Sequence, residues 1–218
     1  MFVIDALINN CPILVFQSIT TSLLIPRFSL TLPQIISMDF LEIVKLRQST
    51  RSYDPARPVE QEKLDRCIEA LRLAPSACNA QPWKIIVVDD PELRNKVADA
   101  AAEKWLGFNF FLKNAPVLII IVREQPNFTS KLGSLFKDKP FTLMDVGIAA
   151  EHFCLQATYD GLGSCIVGWF NEPEVKKLLG IPAKKRAELI ISLGYPGKEE
   201  VRMKTRKRRE EMCSFNKY

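Results

Sequence analysis

Residues 74–88 read APSACNAQPWKIIVV and join a turn of small and polar residues to a short apolar run. The run from Trp83 to Val88 is rich in β-branched side chains and is bounded by Pro82 and Asp89. These features predict a strand buried on both faces. Pro75 ends the helical pattern before it, and the backbone N–H groups and Asn amide of the turn are expected to be open for hydrogen bonding.

Helical and strand patterns continue on both sides of this unit. Hydrophobic spacing predicts helices at about 39–47, 60–73, 90 onward, 143–159 and 173–179, and further strands at 116–122, 164–167 and 189–193. Ser37 or Asp39 can cap the first helix, Asp90 caps the third with Pro91 at its first position, and Gly161 and Gly163 stop the long fourth helix. The pattern predicts an α+β sandwich, with helices packed around a central sheet.

The composition is that of one folded domain. The chain has 218 residues, of which 47% are hydrophobic, enough to bury one substantial core. Its net charge of +5 favours anionic ligands without identifying one. The six cysteines show no metal spacing, and the lone His152 has no Cys or His companion at ligand spacing. We therefore expect reduced thiols, a reducing compartment and no metal site.

Residues 1–37 differ from the rest of the chain. An uncharged run between Asp5 and Arg27 is long enough to cross a bilayer, but its many polar residues make it a poor spanning helix. Asp5 also stands where a secretory signal needs positive charge. We expect one domain over 38–218, preceded by an extension that is poorly ordered or lies upstream of the true start. A membrane or export role is the alternative.

Common nucleotide and hydrolase motifs are not formed. Gly161, Gly163 and Gly168 lack the dinucleotide-binding spacing and follow a helix. A P-loop from Gly163 to Gly168 fails because Trp169 stands where a lysine must bind phosphate. Ser164 is not set in a G-x-S-x-G elbow. No side chain is therefore predicted to be catalytic itself, and a bound redox cofactor would carry the chemistry.

Three separated segments, taken together, resemble the nitroreductase family. They are Arg47-Gln48-Ser49-Thr50-Arg51, residues 74–83 of the opening stretch, and a late set made of Gly161–Ser164, Gly168, Leu193–Pro196 and Lys204–Arg206. Their order and spacing match the family from Met38 to near the C-terminus. The resemblance implies a central mixed, mainly antiparallel sheet flanked by helices, a homodimer, and flavin mononucleotide (FMN) as cofactor.

Each matched segment is chemically suited to that cofactor. Guanidinium groups bind phosphate oxygens in pairs, and two cations at alternate positions of an extended arm can point at one phosphate. A glycine at the end of a strand lets a planar ring approach the backbone. The cofactor-binding residues implied by the resemblance are Arg47, Gln48, Ser49, Arg51, Pro75, Ser76, Ala77, Asn79, Ile166, Val167, Gly168, Lys204 and Arg206, with Asn109 a further polar candidate.

The resemblance also implies a reaction and its participants. NADH or NADPH reduces the flavin, and a small nitroaromatic, quinone or activated alkene is then reduced in a ping-pong two-electron cycle. Residues 75–79 are implied to reach a flavin held largely by the other subunit, and Arg51 or Arg47 is expected to approach the ring. The central phenylalanines line the pocket, the dimer interface or the core: Phe108, Phe110, Phe111, Phe128, Phe136 and Phe141. We expect a cytoplasmic protein that binds neither nucleic acid nor membrane.

Two readings without reductase activity remain open. The segment from Lys198 to Arg209 is rich in cations, and a nucleic-acid-binding tail would bind in a salt-sensitive way. No basic face interleaved with aromatic residues accompanies it. The other reading is a membrane anchor formed by residues 6–26.

Overall fold

The structure, a computed structural model, describes residues 38–102, 107–124, 140–198 and 200–218. The helices are α1 (Phe40–Leu46), α2 (Gln61–Arg72), α3 (Pro91–Ala101), α4 (Phe141–Tyr159), α5 (Glu172–Leu178) and α6 (Arg209–Met212). The strands are β1 (Trp83–Val88), β2 (Val117–Arg123), β3 (Gly163–Val167) and β4 (Arg186–Gly194). Short 3-10 turns occupy Ala77–Asn79 and Phe110–Asn114. The predicted helices and strands are confirmed, with boundaries shifted by a few residues.

The four strands form one antiparallel sheet in the order β1-β2-β4-β3. The expected mixed sheet is therefore wrong for the named strands. Among the described residues, parallel pairing is confined to an isolated bridge between Ser49 and Ser164. That bridge attaches the segment after α1 to the β3 edge of the sheet.

Hydrophobic side chains alternate across the central strands and build two cores. Ile119 and Ile121 of β2 face one core, which also contains Phe153 of α4 and residues of α2. Leu118 and Ile120 face the other, beside α3 and α5. This alternation follows from the two-residue period of a strand, and it places helices on both faces of the sheet, as predicted.

β1 departs from the prediction of a strand buried on both faces. It lies at the edge of the sheet, with β2 as its sheet neighbour, and only Val88 is fully buried. Trp83 is half-buried and packs against the core. The apolar composition of β1 predicted the strand correctly but not its edge position, because a short apolar run has no signal for strand order.

The predicted helix ends are partly confirmed. Asp90 Oδ1 accepts a hydrogen bond from Leu93 N at 2.8 Å and caps α3, whereas Asp39 makes no side-chain cap bond at α1. Gly161 follows α4 with a φ of +75°. The expectation that Gly163 also stops α4 is wrong, because it is the first residue of β3.

Two further expectations bear on location. Residues 1–37 lie outside the described residues, so the expectation of an N-terminal extension stays a prediction. Within the described ranges, no helix is long and apolar enough to cross a membrane.

Replacing Gly163 by Ala should destabilise the fold. A Cβ at this position would lie 2.6 Å from Thr50 Oγ1 and 2.9 Å from Thr50 Cβ, so the segment after α1 must move away from β3. We expect the free energy of unfolding to fall by about 1–3 kcal/mol in urea denaturation. Adding Thr50→Ala, which removes the nearest atoms, should recover part of this loss. Equal stability of Gly163→Ala and the parent would contradict the close contact.

Candidate functional site

The arginine loop, residues 47–53, runs from the end of α1 along the edge of the sheet. Arg47 is the C-terminal cap of α1, so the loop's two arginines follow the helix. Thr50 N donates to the Ser164 carbonyl at 2.9 Å, beside the parallel bridge that Ser49 forms with the same residue. The loop is therefore held against β3 by main-chain contacts.

A buried tyrosine fixes the course of this loop. Tyr53 is 5% exposed, and its hydroxyl donates to the Thr50 carbonyl at 2.8 Å. The same hydroxyl shares a 2.6 Å hydrogen bond with Ser192 Oγ of β4. Burial is the largest influence on the pKa of Tyr53 and raises it, so the hydroxyl stays protonated and able to donate. The loop is thus tied to two strands at once.

The C-terminal arm, residues 200–206, returns to the arginine loop. Arg202 Nη2 donates to the Ser49 carbonyl at 2.5 Å, and Arg202 N donates to Gln48 Oε1 at 3.2 Å. Gln48 Nε2 donates in turn to the Glu200 carbonyl at 3.2 Å. The side chain of Gln48 therefore binds the arm through both ends of its amide.

Lys204 lies among like charges. Its Nζ donates to the Val44 carbonyl at 2.6 Å. Desolvation is the main cause that lowers the pKa of Lys204, and the nearby Arg47 and Arg206 lower it further. Arg47 also pairs with Glu151 of α4 at 3.3 Å. An anion bound among these cations would relieve their repulsion, and phosphate oxygens suit guanidinium donors well.

Cys165, which is 2% exposed on β3, lies near Arg51, Arg202 and Arg47. Burial, the largest influence, raises the pKa of its thiol. Arg51 acts most strongly in the opposite direction, followed by a hydrogen bond from Ser49 and by the charges of Arg202 and Arg47. Three guanidinium groups from two distant segments therefore lie near one strand.

A cleft of about 190 Å³ opens at the end of β3. Arg51 and Phe111 lie on one side, with the guanidinium carbon 5.9 Å from the ring centroid. Gly168 is exposed, and the nearest neighbour of a Cβ built there would be Leu189 Cδ2 at 3.6 Å. The backbone at Gly168 is therefore open to a flat group. The cleft is lined by Arg51, Phe108, Asn109, Phe111 and residues 165–169.

Asn109 holds this cleft in shape. It adopts a left-handed φ of 69°, and its Nδ2 donates to the Trp169 carbonyl at 2.7 Å and to the Ala101 carbonyl at 3.1 Å. The amide N–H groups of Asn109 thus fasten the end of β3 to the turn at 107–114. That Asn109 also presents a polar group to a ligand stays a prediction.

The proline turn, residues 75–79, is anchored elsewhere in the same chain. Ala77 N donates to Asp145 Oδ1 at 3.1 Å. Asp145 precedes Glu151, the partner of Arg47, by six residues on α4, which is about 9 Å along the helix. The proline turn and the arginine loop are thus anchored at different residues of α4, and the backbone N–H of Ala77 is already bonded.

The backbone of this turn is strained. Cys78, Asn79 and Gln81 have positive φ values of 53°, 50° and 44°, a conformation rare for residues other than glycine. Gln81 N donates to Ser76 Oγ at 2.9 Å, so the Ser76 hydroxyl accepts a bond that shapes the turn. Such strain concentrates at ligand-binding sites, and Asn79 is exposed there.

The structure brings together most of the predicted site residues. Those that meet around β3 and the arm are Arg47, Gln48, Ser49, Arg51, Ile166, Val167, Gly168, Lys204 and Arg206. Pro75, Ser76, Ala77 and Asn79 belong to the proline turn, which is anchored at Asp145 and does not line the cleft at the end of β3. Arg202 was missed, although a signal existed: residues 202, 204 and 206 are cations at alternate positions, the spacing that shares one face of an extended segment.

Other candidate residues contact only their own helix or lie outside the described ranges. His152 is half-buried, and its Nδ1 lies 2.9 Å from the Ile148 carbonyl one helical turn away. Across the described residues, no group of His, Cys, Asp and Glu side chains is arranged to hold a metal ion. Phe128 and Phe136 fall in the undescribed segment 125–139.

Residues 44–195 match the family model described as the nitroreductase family. The chain belongs to the nitroreductase family. The match spans the arginine loop, the proline turn and the end of β3, so the resemblance predicted from three motifs is confirmed. This nitroreductase-family chain has the antiparallel four-stranded sheet and flanking helices described above.

Individual relatives differ in the activity for which they are named. YdgI of Bacillus subtilis strain 168, provisionally named an NAD(P)H nitroreductase, is 45% identical over 193 residues, covering 74% of this chain and 90% of YdgI. An iodotyrosine deiodinase of Thermotoga neapolitana is 27% identical over 175 residues, covering 71% of this chain and 87% of that protein. Among solved structures, the FMN-dependent nitroreductase of Clostridium difficile R20291 superposes with a TM-score of 0.66 at 30% identity, covering 82% of this chain and 99% of that one.

Replacing Tyr53 by Phe keeps the ring but removes the hydroxyl that joins Thr50 to Ser192. We expect the free energy of unfolding to fall by about 1–2 kcal/mol in urea denaturation, since buried polar partners lose a hydrogen bond. Tyr159→Phe is the matched control, because Tyr159 is 42% exposed on α4, and it should leave stability unchanged. A Tyr53→Phe protein as stable as the control would show that the hydroxyl does not fix the loop.

Proposed function

We propose that this chain is an FMN-dependent oxidoreductase that passes electron pairs from NADH or NADPH to small, planar, electron-poor organic molecules. The observation that carries the proposal is the meeting of the arginine loop and the C-terminal arm beside the open end of β3. This place combines cations that suit a phosphate with an open backbone that suits a flat ring. A flavin mononucleotide requires both.

The phosphate would be held by residues of both segments. Desolvation is the largest cause that lowers the pKa of Lys204, and Arg47 and Arg206 are close enough to lower it further. Ser49 offers a hydroxyl in the same loop. Lys204 is half-buried and bonds the Val44 carbonyl of α1, so its charge is directed at the start of the arginine loop, which favours a small anion over a nucleic acid. The basic arm is accordingly assigned to cofactor binding, and the nucleic-acid alternative is set aside.

The ring would lie along the cleft at the end of β3. The backbone of Ile166, Val167 and Gly168 would border it, and Arg51 would place a positive charge at its edge. When bound, FMN supplies the capacity to accept and release an electron pair. Arg51 would stabilise the negative charge that reduction adds, while the cleft walls orient the donor and then the acceptor in the same place.

A homodimer would complete the site. The strained proline turn is anchored at Asp145 and exposes Pro75 and Asn79, so it is available to the flavin of a second copy. Exposed apolar residues on α1 and α4 offer a surface for that copy: Phe40, Leu41, Val44, Leu143, Met144 and Ile148. We assign these roles to the domain at 38–218 and propose a cytoplasmic location, where NADH and NADPH are available.

Aromatic side chains at the cleft set the class of acceptor. Phe108 and Trp169 are 54% and 68% exposed beside it, and flat, electron-poor rings would stack against such faces. Nitroaromatics, quinones and activated alkenes all fit this description. Similarity to an iodotyrosine deiodinase makes reductive dehalogenation of an aromatic ring a second candidate reaction.

The purified protein should be yellow and should lose its blue absorption when NADH or NADPH is added without oxygen. Subsequent addition of a nitroaromatic or a quinone should restore the colour, while iodotyrosine tests the dehalogenation candidate. A protein that takes up no FMN during reconstitution would overturn the proposal.

Arg51→Ala should lower the flavin midpoint potential because a cation beside the reduced ring is lost. We expect a change of about 30 mV, equivalent to about 1.4 kcal/mol for a two-electron couple, measured by dye equilibration. Arg51→Lys keeps the charge and should keep most of the potential. If Arg51→Ala alters neither the potential nor FMN affinity, Arg51 has no role at the ring.

A further inference from the structure

The contacts between Gln48 and the arm are reciprocal. Gln48 Oε1 accepts from Arg202 N at 3.2 Å and lies 3.4 Å from Arg202 Nε, while Gln48 Nε2 donates to the Glu200 carbonyl. Arg202 then reaches past Gln48 to the Ser49 carbonyl. Side-chain and main-chain atoms of both segments take part. The contacts therefore fix both the distance of the arm from the arginine loop and its register along that loop.

These contacts act against electrostatic repulsion. The arm carries Lys204 and Arg206 toward Arg47. Desolvation is the main cause that lowers the pKa of Lys204, and the charges of Arg47 and Arg206 lower it further. Without a bound anion, repulsion favours an arm that moves away from the loop. The Gln48 amide and the Ser49 carbonyl carry no net charge, so they can hold the arm in place without adding to the repulsion.

We propose that Gln48 and Arg202 are positioning residues that hold the C-terminal arm on the arginine loop, so that its cations meet the cofactor phosphate. This inference rests on the proposed function and reassigns Gln48 from a cofactor contact to a contact with the arm. Gln48 Nε2 and Arg202 Nη2 donate to main-chain carbonyls, so we assign both side chains a role that acts through Lys204 and Arg206. Release of FMN then requires, or is hastened by, release of the arm.

The rate of FMN dissociation tests the positioning role. Gln48→Ala and Arg202→Ala should each raise this rate about tenfold, as expected when a hydrogen bond involving a charged group is lost. The double variant should be little faster than either single one, because both changes break the same attachment. Arg202→Lys keeps the charge but not the forked donors, and it should behave like Arg202→Ala. Lys207→Ala, a cation change directly after the arm and outside these contacts, should leave the rate unchanged.

Limited trypsin digestion supplies a readout of arm position that does not depend on activity. Gln48→Ala leaves the arm sequence intact, so faster cleavage within residues 202–209 of the FMN-loaded variant would report an undocked arm. Gln61→Ala is the matched control, because Gln61 bonds Asp65 on α2 and should not alter cleavage. Unchanged cleavage and unchanged FMN dissociation in Gln48→Ala would overturn the inference.

The outcomes separate this inference from the proposed function. Slow FMN release from Arg202→Lys combined with fast release from Arg202→Ala would mean that Arg202 acts by charge on the phosphate, and the positioning role would be wrong. Tight FMN binding in every variant would also refute positioning while leaving the flavoenzyme intact. Failure of the parent protein to bind FMN would refute both.

Discussion

The site depends on one constraint: the fold must hold the positive charges of the arginine loop and the C-terminal arm close together against their mutual repulsion. Three guanidinium groups, those of Arg51, Arg202 and Arg47, influence the single thiol of Cys165, and Arg47 and Arg206 add to desolvation in lowering the pKa of Lys204. Unit charges about 4 Å apart repel by about 1 kcal/mol in water and by more near a protein surface. The fold holds them through neutral contacts, chiefly the Tyr53 hydroxyl and the main-chain bond from Thr50 to β3. The attraction between a bound dianion and each of these cations would offset their mutual repulsion.

In the proposed site, the phosphate and ring contacts would come from different parts of the chain. The arginine loop and the arm provide charge, whereas the end of β3 provides an open backbone at Gly168. The proline turn is held separately, by Asp145 of α4. A second copy can supply that turn, so cofactor binding and dimerisation would be linked.

Several parts of the site follow from local sequence patterns. The apolar runs predicted the strands, Asp90 and Pro91 predicted the start of α3, and the cations at 47, 51, 204 and 206 predicted an anion site. Sequence spacing could not reveal that Gln48 binds the arm or that Asn109 binds Trp169, because both depend on contacts between distant segments. It also failed at Gly163, where the side chain of Thr50 rather than a helix end excludes a Cβ.

Comparing FMN with riboflavin tests the central claim most directly, because the two flavins differ only in the phosphate. The account predicts that FMN binds far more tightly than riboflavin, and that its advantage shrinks as salt rises and largely disappears in Arg47→Ala/Lys204→Ala. Equal affinity for the two flavins, or an FMN preference unaffected by salt and by that double change, would contradict it.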